Sequence, residues 1–365
     1  SIGKAYVVFG KRDGWGKTTL TSASYSVVEG IPGLPTSRNI FVGWSVTGGD
    51  INGDGISDLV VNAPWDDGQT STGWIMIAPG QSRDQWPINI LPYHLCRIYG
   101  YPDMVLGRSA AIAGFTNGDG VEDLVVGALH DPEDFPGSAV SLLGDAGYQA
   151  GYYLNMEQLK AKEYYGTQAD GYVADSVSGR VDVDNDGYED FLVGRKSSLN
   201  TESLAYLVFG GETLEPSATL ESVSGLVFTS GSDDLDACPC TVQGIGDMNG
   251  DGLDDFAVGV AGNDANGANA GKIYIFHGRL SRTDWGTTDD QSTQRQVSLD
   301  DADMVLLGET AGDQAGLALA AGDLNKDGWQ DLVISAPTWD GGGTDRGRVY
   351  AVFGHPAGRN PIPAD

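Results

Sequence analysis

Short apolar runs alternate with glycine-rich polar loops along the whole chain, and six of these runs close on a glycine. They are GKAYVVFG from Gly3, GWIMIAPG from Gly73, GSAVSLLG from Gly137, SLAYLVFG from Ser203, GKIYIFHG from Gly271 and GRVYAVFG from Gly347. Their β-branched and aromatic residues are typical of buried strands bounded by turns. Helical periodicity is confined to NMEQLKAKEYY, from Asn155 to Tyr165, which predicts one surface helix. The pattern therefore predicts an all-β protein.

A second pattern, an acidic loop that leads directly into an apolar run, occurs five times. The copies are GDINGDGISDLVVNAP from Gly49, GFTNGDGVEDLVVGAL from Gly114, VDVDNDGYEDFLVGRK from Val181, GDMNGDGLDDFAVGVA from Gly246 and GDLNKDGWQDLVISAP from Gly322. The last Asp of each loop lies 65, 67, 65 and 76 residues after the one before it. Such regular spacing indicates a repeated structural unit.

Each unit is predicted to contain four strands. A segment such as FVGWSVTGGD from Phe41 comes before the acidic loop, and the apolar run after the loop is the second strand. The glycine-closed run is the third strand, and a weaker segment such as TTLTSAS from Thr18 is the fourth. Repeated four-stranded units are the blades of a β-propeller, an architecture that leaves only short, protected strand edges.

We therefore predict one β-propeller domain over residues 1–365, with calcium loops between the first and second strands of its blades. The predicted repeats lie near residues 41–100, 104–165, 170–225, 240–300 and 313–354. Residues 1–30 are predicted to form a partial blade that either completes the last blade or belongs to a sixth. A count of five to seven blades stays open.

The acidic loops predict calcium sites. In the first copy, side-chain oxygens stand at alternate positions, Asp50, Asn52 and Asp54, and Gly55 permits the sharp turn that follows. The backbone carbonyl of Ile56 and the carboxylate of Asp58 complete an all-oxygen set of ligands. Oxygen ligands without nitrogen or sulfur favour calcium, because magnesium requires a small octahedral shell and retains its waters.

The same positions predict the ligands of the other copies. They are Asn117, Asp119, Val121 and Asp123 in the second, Asp182, Asp184, Asp186, Tyr188 and Asp190 in the third, Asp247, Asn249, Asp251, Leu253 and Asp255 in the fourth, and Asp323, Asn325, Asp327, Trp329 and Asp331 in the fifth. Phe115 replaces the first Asp of the second copy, so four calcium ions are predicted, with a fifth possible there. Asp184 stands where the other copies have Asn, and we expect this extra charge to raise affinity.

Two other kinds of loop have similar sequences. A helix-flanked EF-hand needs a bidentate Glu at the twelfth position, which here is a branched apolar residue in every copy: Val61, Val126, Val193, Val258 and Ile334. Ordinary hairpin turns also contain Asn-Gly and Asp-Gly pairs. Five copies in register, each with an Asp at the ninth position, favour calcium over simple turns.

Composition narrows the possible functions. The chain has 21 Lys and Arg against 51 Asp and Glu, a formal net charge of −30, and such a surface repels nucleic acids and anionic lipid headgroups. Cys96, Cys238 and Cys240 allow at most one disulfide, for which we considered Cys96 with one of the other two. Zinc is disfavoured because four ligands are not found near these cysteines.

These motifs match the FG-GAP repeats of integrin α-subunits, and the resemblance covers essentially the whole chain. The F-x-G-x-S pattern is present as Phe41, Gly43 and Ser45, and the G-A-P element is represented by Asn62-Ala63-Pro64 and Ser335-Ala336-Pro337. The resemblance implies calcium on the lower face and ligand binding on the upper face. Carried over by motif, that upper face includes Trp65, Asp66, His130, Phe135, Lys196, Asn263 and Trp339.

The predicted function is an extracellular, calcium-stabilised module for adhesion or binding, without catalytic activity, that recognises a protein or glycan. It is not predicted to contact nucleic acid or to insert into a membrane. The alternative is an accessory or catalytic propeller of an enzyme that degrades polysaccharide or phospholipid, and a third possibility is a structural segment of a longer surface protein. Four scattered histidines and the absence of a G-x-S-x-G motif argue against catalysis. Loops of modest affinity fill only where calcium is abundant, which favours an extracellular location.

Overall fold

A computed structural model describes most of the chain, and every regular element in that part is a strand or a short 3₁₀ turn. The described residues are 3–8, 25–29, 41–64, 72–82, 85–86, 96–130, 137–148, 152–156, 158–159, 161–166, 171–197, 203–214, 217–223, 225–229, 240–288, 295–341 and 343–355. No helix among them is long and apolar enough to cross a membrane. The all-β prediction is confirmed.

The strands follow the repeats of the sequence. They are β1 (Lys4–Val8), β2 (Tyr25–Glu29), β3 (Val46–Gly49), β4 (Asp58–Ala63), β5 (Trp74–Ala78), β6 (Cys96–Tyr99), β7 (Met104–Gly114), β8 (Asp123–His130), β9 (Ser138–Leu142), β10 (Tyr152–Asn155), β11 (Lys162–Tyr165), β12 (Gly171–Val181), β13 (Asp190–Ser197), β14 (Ser203–Val208), β15 (Ala218–Thr219), β16 (Gly225–Thr229), β17 (Cys240–Gly246), β18 (Asp255–Val260), β19 (Lys272–Phe276), β20 (Thr287–Thr288), β21 (Arg295–Ser298), β22 (Met304–Leu307), β23 (Leu319–Gly322), β24 (Asp331–Ala336) and β25 (Arg348–Val352).

Each repeat forms its own antiparallel meander, as the blades of a β-propeller do. The four strands of the first four repeats are β3-β4-β5-β6, β7-β8-β9-β11, β12-β13-β14-β16 and β17-β18-β19-β22, and the fifth repeat shows β23-β24-β25. In every repeat the acidic loop joins the first strand to the second, as the sequence predicts.

The segment between the third and fourth strands of a repeat reaches back to the blade before it. There it adds a short parallel strand at the outer edge: β10 pairs with β6, β15 with β11, and β21 with β16. These strands connect consecutive blades and satisfy backbone groups that an exposed edge would leave unpaired. The sequence pattern did not predict them.

The helix predicted from Asn155 to Tyr165 is wrong. Its first residue ends β10, and its last four residues are β11, which is antiparallel to β9. Tyr164 is fully buried in a cluster with Val125 and Phe191 of the second and third repeats. Tertiary burial of this aromatic outweighs the helical propensity of the Glu and Lys residues around it.

The core lies between neighbouring blades, so most second and third strands are buried on both faces. The largest aromatic group joins the third and fourth repeats: Phe256 stacks on Phe276 at 5.3 Å, and Phe228 and Trp285 pack around this pair. Apolar residues on alternate faces of one strand therefore belong to different inter-blade layers. This two-sided burial explains the continuous apolar runs of the sequence.

The first and last repeats are less covered by neighbouring strands than the repeats between them. β1 and β2 form a separate two-stranded sheet that lies against the first repeat, where Gly3 bridges to Val42. In the described residues this hairpin does not pair with β25. At the last repeat, Val349 and Phe353 are 68% and 52% exposed.

The cysteines do not pair as considered from the sequence. Cys96 is a free, buried thiol in β6, and burial raises its pKa to about 12. Cys240 is disulfide-bonded. A bridge from Cys96 to Cys238 or Cys240 is therefore wrong, and Cys238 lies outside the described residues.

Candidate calcium loops and the opposite face

The five acidic loops share one backbone conformation and lie at the same end of their sheets. Their sixth position is a glycine with φ between 83° and 95°: Gly55, Gly120, Gly187, Gly252 and Gly328. L-residues with a side chain rarely adopt this left-handed region, so the turn requires glycine. The sharp turn predicted from the sequence is confirmed.

Backbone N–H groups of the loop hold the side-chain oxygens in place. In the first loop, the Asp54 N–H donates to Asp50 Oδ1 at 3.0 Å and to Asn52 Oδ1 at 2.9 Å, and the Gly55 N–H donates to Asp50 Oδ2 at 2.8 Å. Residues 247–252 and 323–328 repeat this arrangement. The first and third side chains therefore turn toward the inside of the loop.

The ninth-position Asp is buried in every repeat, with at most 2% of its surface exposed. The five residues are Asp58, Asp123, Asp190, Asp255 and Asp331. One carboxylate oxygen accepts the N–H of the second loop residue, and the other accepts the N–H of the glycine that closes the third strand. For Asp190 these donors are Val183 at 3.0 Å and Gly210 at 2.8 Å. This carboxylate thus ties the loop to the end of the third strand, which explains why the strand closes on glycine.

Replacing that glycine should destabilise the blade. A Cβ on Gly210 would lie 2.5 Å from the carbonyl oxygen of Glu189 and 2.9 Å from that of Thr116, so the backbone must shift. We expect Gly210→Ala to lower the free energy of unfolding by about 2–3 kcal/mol in urea denaturation. Gly211→Ala is the control, because its nearest contact would be 4.0 Å away. If the two variants were equally stable, the short distance from Gly210 to the two carbonyl oxygens would not be the reason that glycine is required there.

Burial also changes the acidity of these groups. It raises the pKa of Asp58, Asp123 and Asp255 to about 6, although the backbone N–H donors oppose the shift. Burial raises the pKa of Asp190 well above its ordinary value. A metal ion at the loop would supply the positive charge that these carboxylates lack.

The third loop fits a metal ion by its geometry. Carboxylate oxygens of Asp182, Asp184 and Asp190 all lie within 4.8 Å of one another. Asp184 is 6% exposed, and its Oδ1 has no hydrogen-bond partner. An oxygen that is buried, negatively charged and unpaired is costly unless a cation meets it, so this donor set suits calcium.

The second loop differs where the sequence differs. Phe115 is 41% exposed and contributes no oxygen from its side chain. The Thr116 hydroxyl donates a short hydrogen bond to Asp123 Oδ2, which the corresponding apolar residues of the other loops cannot do. The remaining ligand set is smaller, as the sequence predicts.

The eighth loop position, which the sequence analysis missed, connects adjacent loops. Glu122 accepts the Asp50 N–H at 2.6 Å, Glu189 accepts the Phe115 N–H at 2.6 Å, and Asp254 accepts the Asp182 N–H at 3.0 Å. Asp50, Phe115 and Asp182 are the first residues of their loops. In each pair, the carbonyl oxygen of this first residue also accepts the backbone N–H of the eighth-position residue. The visible signal is an acidic residue directly before the last Asp of copies two, three and four.

Removing one such carboxylate should weaken the contact between two blades. Glu122 also accepts from Arg180 Nε at 2.9 Å, so it joins the first, second and third repeats. We expect Glu122→Gln to cost about 1–2 kcal/mol, because the charge-assisted hydrogen bonds become ordinary ones. Thermal melting and urea denaturation measure this, with Ser57→Ala, at the exposed equivalent position of the first loop, as the control. A cost no larger than that of the control would contradict the proposed connection.

The predicted upper-face residues are only partly described. Trp65, Asp66 and Phe135 lie outside the described residues, and His130 ends β8, at the opposite end of its strand from the acidic loop. Lys196 is exposed near the end of β13, whereas Asn263 is fully buried. The structure thus places His130 and Lys196 at the face opposite the loops, which we call the opposite face.

Trp339 lies at the opposite face but is half-buried. Its indole N–H donates to Glu309 Oε2 at 3.0 Å, and the Arg348 guanidinium lies 3.7 Å from the ring centroid. Arg348 is in turn bonded to Glu309 at 2.7 Å. One face of the ring is therefore already covered, which disfavours Trp339 as a platform for a sugar.

A different aromatic residue is more exposed at this face. Trp44, within the F-x-G-x-S segment, is 45% exposed, and Arg108 lies 4.7 Å from its ring centroid. Arg108 Nε donates to Asp175 at 2.7 Å. The three residues come from the first, second and third repeats and form a row, because each lies just before the first strand of its repeat or in the half of that strand away from the acidic loop. The sequence signal was the aromatic residue inside the F-x-G-x-S motif, to which the sequence analysis gave no role in ligand binding.

Comparison with known proteins identifies the repeat. The family model described as "FG-GAP repeat" matches residues 42–76, 244–276 and 315–352. The first, fourth and fifth repeats of the structure therefore match directly. The second and third repeats lie outside these matched ranges, although they share the same loop and strand order.

Proteins of two kinds are similar to this chain. Integrin alpha-7 of Rattus norvegicus is 35% identical over 153 residues, which is 42% of this chain and 12% of the relative. Integrin alpha-5 of Xenopus laevis is 26% identical over 211 residues, or 56% and 18%. Phosphatidylinositol-glycan-specific phospholipase D of Dictyostelium discoideum is 26% identical over 209 residues, or 52% and 20%. This chain thus spans a fifth or less of the length of these relatives.

Proposed function

Because this chain is an integrin-like FG-GAP repeat domain, we propose that it is a calcium-stabilised binding module, without catalytic activity, that recognises a protein outside the cell. The proposal has two parts, calcium at the acidic loops and a ligand at the opposite face. The main support is the repeated acidic loop. Its side-chain oxygens turn toward the inside of the loop, and its ninth-position Asp is buried.

Calcium would be held by the loop residues alone. In the third loop the ligands are the carboxylates of Asp182, Asp184, Asp186 and Asp190, with the carbonyl of Tyr188. Each oxygen of Asp190 uses one lone pair for a backbone N–H and retains another for a metal. Bound calcium would neutralise carboxylates that burial otherwise penalises, and this is a structural role. The corresponding residues of loops one, four and five would each bind a calcium ion in the same way. Loop two would bind calcium most weakly.

The opposite face supports a protein ligand better than a glycan. Trp44 and Arg108 are residue types that dominate the energetics of protein interfaces, and they lie side by side across two blades. Trp339, which would stack on a sugar, is covered on one face by Arg348. The binding experiment described below therefore tests whether the ligand is a protein or a glycan.

A second candidate is a non-catalytic accessory domain of a phospholipid-cleaving enzyme. Its support is the similarity to two proteins named phosphatidylinositol-glycan-specific phospholipase D, at 26% and 37% identity. The similarity covers 52% and 30% of this chain, and both relatives are named as phospholipases. The similarity to integrin alpha-7 has the stronger combination of identity and length.

Surface plasmon resonance tests the ligand part of the proposal. Purified extracellular-matrix glycoproteins are immobilised, and the domain is passed over them in about 1 mM calcium, the concentration at which extracellular modules fill. Binding that survives enzymatic deglycosylation of the matrix protein supports a protein ligand, and loss of binding supports a glycan. Trp44→Ala should weaken binding at least about tenfold, whereas Leu280→Ala, 73% exposed at the acidic-loop end, should not.

Calorimetric titration of the EDTA-treated domain with calcium tests the other part. Four or five bound ions, together with a rise in melting temperature, are expected. Binding without a rise would contradict the structural role of calcium. Release of a glycosylphosphatidylinositol-anchored protein from vesicles by the domain alone would contradict the non-catalytic proposal.

A further inference from the structure

The third acidic loop differs from the other four at its third position, and a guanidinium from outside the loop binds two of its carboxylates. In loops one, two, four and five the third position is Asn, and its amide Nδ2 donates to the carboxylate at the fifth position. The four pairs are Asn52 to Asp54 at 3.2 Å, Asn117 to Asp119 at 2.9 Å, Asn249 to Asp251 at 2.9 Å and Asn325 to Asp327 at 2.7 Å. This amide keeps two neighbouring side chains together.

In the third loop this donor is missing, because Asp184 replaces Asn and a carboxylate cannot donate. The guanidinium of Arg282 takes its place. Its Nε donates a short hydrogen bond to Asp184 Oδ2, and its Nη2 donates to Asp186 Oδ2 at 2.7 Å. One planar group thus joins the two carboxylates that would otherwise repel each other.

Arg282 belongs to the next blade and is placed there by local structure. It begins a 3₁₀ turn that Ser281 caps, and the N–H of Arg279 donates to the Val183 carbonyl in the third loop at 2.8 Å. The guanidinium also lies 3.9 Å from the ring centroid of Phe209. Its approach to the loop is therefore built into the contact between the third and fourth repeats.

At the ligand positions, the charge of the third loop then equals that of three other loops. The third loop carries four Asp side chains at these positions, and with Arg282 their summed charge is −4 + 1 = −3. Loops one, four and five carry three Asp side chains each at these positions, which is also −3. Arg282 donates to the Oδ2 atoms of Asp184 and Asp186, so Asp184 Oδ1 stays without a hydrogen-bond partner, and carboxylate oxygens of Asp182, Asp184 and Asp190 lie within 4.8 Å of one another.

We propose that Arg282 is a resident counter-cation of the third loop, which holds this loop together without metal and keeps its calcium affinity close to that of the other loops. This inference rests on the proposed calcium binding. It replaces the expectation that Asp184 simply raises affinity, because the extra negative charge is already compensated. Arg282 acts by positioning and charge and is not a metal ligand.

Hydrogen-exchange mass spectrometry of the whole domain tests the proposal loop by loop, with calcium alone as the probe. In EDTA, Arg282→Gln should reduce protection of residues 182–190, because two carboxylates lose their common donor. During calcium titration, the midpoint is the calcium concentration at which half of the change in protection has occurred. For that loop the midpoint should fall by about tenfold, because the positive charge that opposes calcium binding is gone. The midpoint for residues 50–58 serves as an internal reference and should not change.

Two further variants separate this role from a general effect of charge. Arg279→Gln removes a nearby positive charge that does not contact the Asp residues of the loop, and it should leave the midpoint within about twofold. Asp184→Asn combined with Arg282→Gln recreates the pattern of the other loops, and it should restore protection in EDTA and the wild-type midpoint.

An unchanged or raised midpoint in Arg282→Gln would overturn the proposal, as would a double variant no better protected in EDTA than the single one. If no loop responds to calcium, the proposed function fails. The EDTA comparison still decides whether Arg282 holds the loop, so the two failures are distinguishable.

Discussion

Asp190→Ala is expected to lower the free energy of unfolding by about 3–5 kcal/mol even when no calcium is present. The side chain is fully buried, and both oxygens accept backbone N–H groups, from Val183 and Gly210. Alanine would leave these two donors unpaired, at about 1–3 kcal/mol each, and would add a small cavity. Urea denaturation in EDTA measures the effect.

The control is Asp54→Ala, an exposed ligand position of the first loop, which should cost less than about 1 kcal/mol in EDTA. The comparison separates two roles of the same loop. A residue that serves only as a metal ligand should matter little after chelation. If Asp190→Ala were as stable as Asp54→Ala in EDTA, the buried carboxylate would act through metal alone, contrary to the hydrogen bonds of the structure.

The repeat and its loops could be predicted because their signals are local. Alternating oxygens, the glycine with positive φ and the apolar residue at the twelfth position, such as Val193, all follow from the sequence within one loop. The strand order follows from apolar runs separated by turns. These elements depend on residues close together in the chain, which is where pattern analysis is strongest.

The missed features are contacts between repeats. The strands β10, β15 and β21 are short and gain their hydrogen bonds from the preceding blade, so their own sequence carries little signal. The same holds for Glu122 and for Arg282, whose partners lie 72 and 98 residues away. The false helix at Asn155–Tyr165 has this cause as well, because its local propensity gives way to pairing with another strand.

These contacts make the acidic-loop end of the blades a connected structure. Each eighth-position carboxylate joins two loops, and Arg282 joins the third loop to the fourth blade. A change in one loop therefore alters the surroundings of the next. Repeat proteins owe much of their stability to such nearest-neighbour terms, so calcium in one loop is expected to stabilise its neighbours as well.

The stability of the domain should fall with rising pH in EDTA and should be nearly independent of pH in saturating calcium. Burial raises the pKa of Asp58, Asp123 and Asp255 to about 6 in the folded state, against an ordinary value of about 3.9 in the unfolded chain. Between these values the folded state binds more protons than the unfolded one. In EDTA these groups therefore make stability fall as pH rises from about 4 to about 6, by at most about 2–3 kcal/mol for each group.

Saturating calcium should remove this slope, because the ion occupies the carboxylates only after their protons leave, and the folded state then binds no more protons than the unfolded chain. In saturating calcium the melting temperature should therefore stay nearly constant from pH 5 to pH 7, whereas the calcium affinity should drop steeply below about pH 6. Melting curves across this range, in EDTA and in calcium, measure both slopes. A fall with rising pH that is as steep in calcium as in EDTA would mean that the buried carboxylates are not where calcium binds, since protons and calcium compete only for groups that they share.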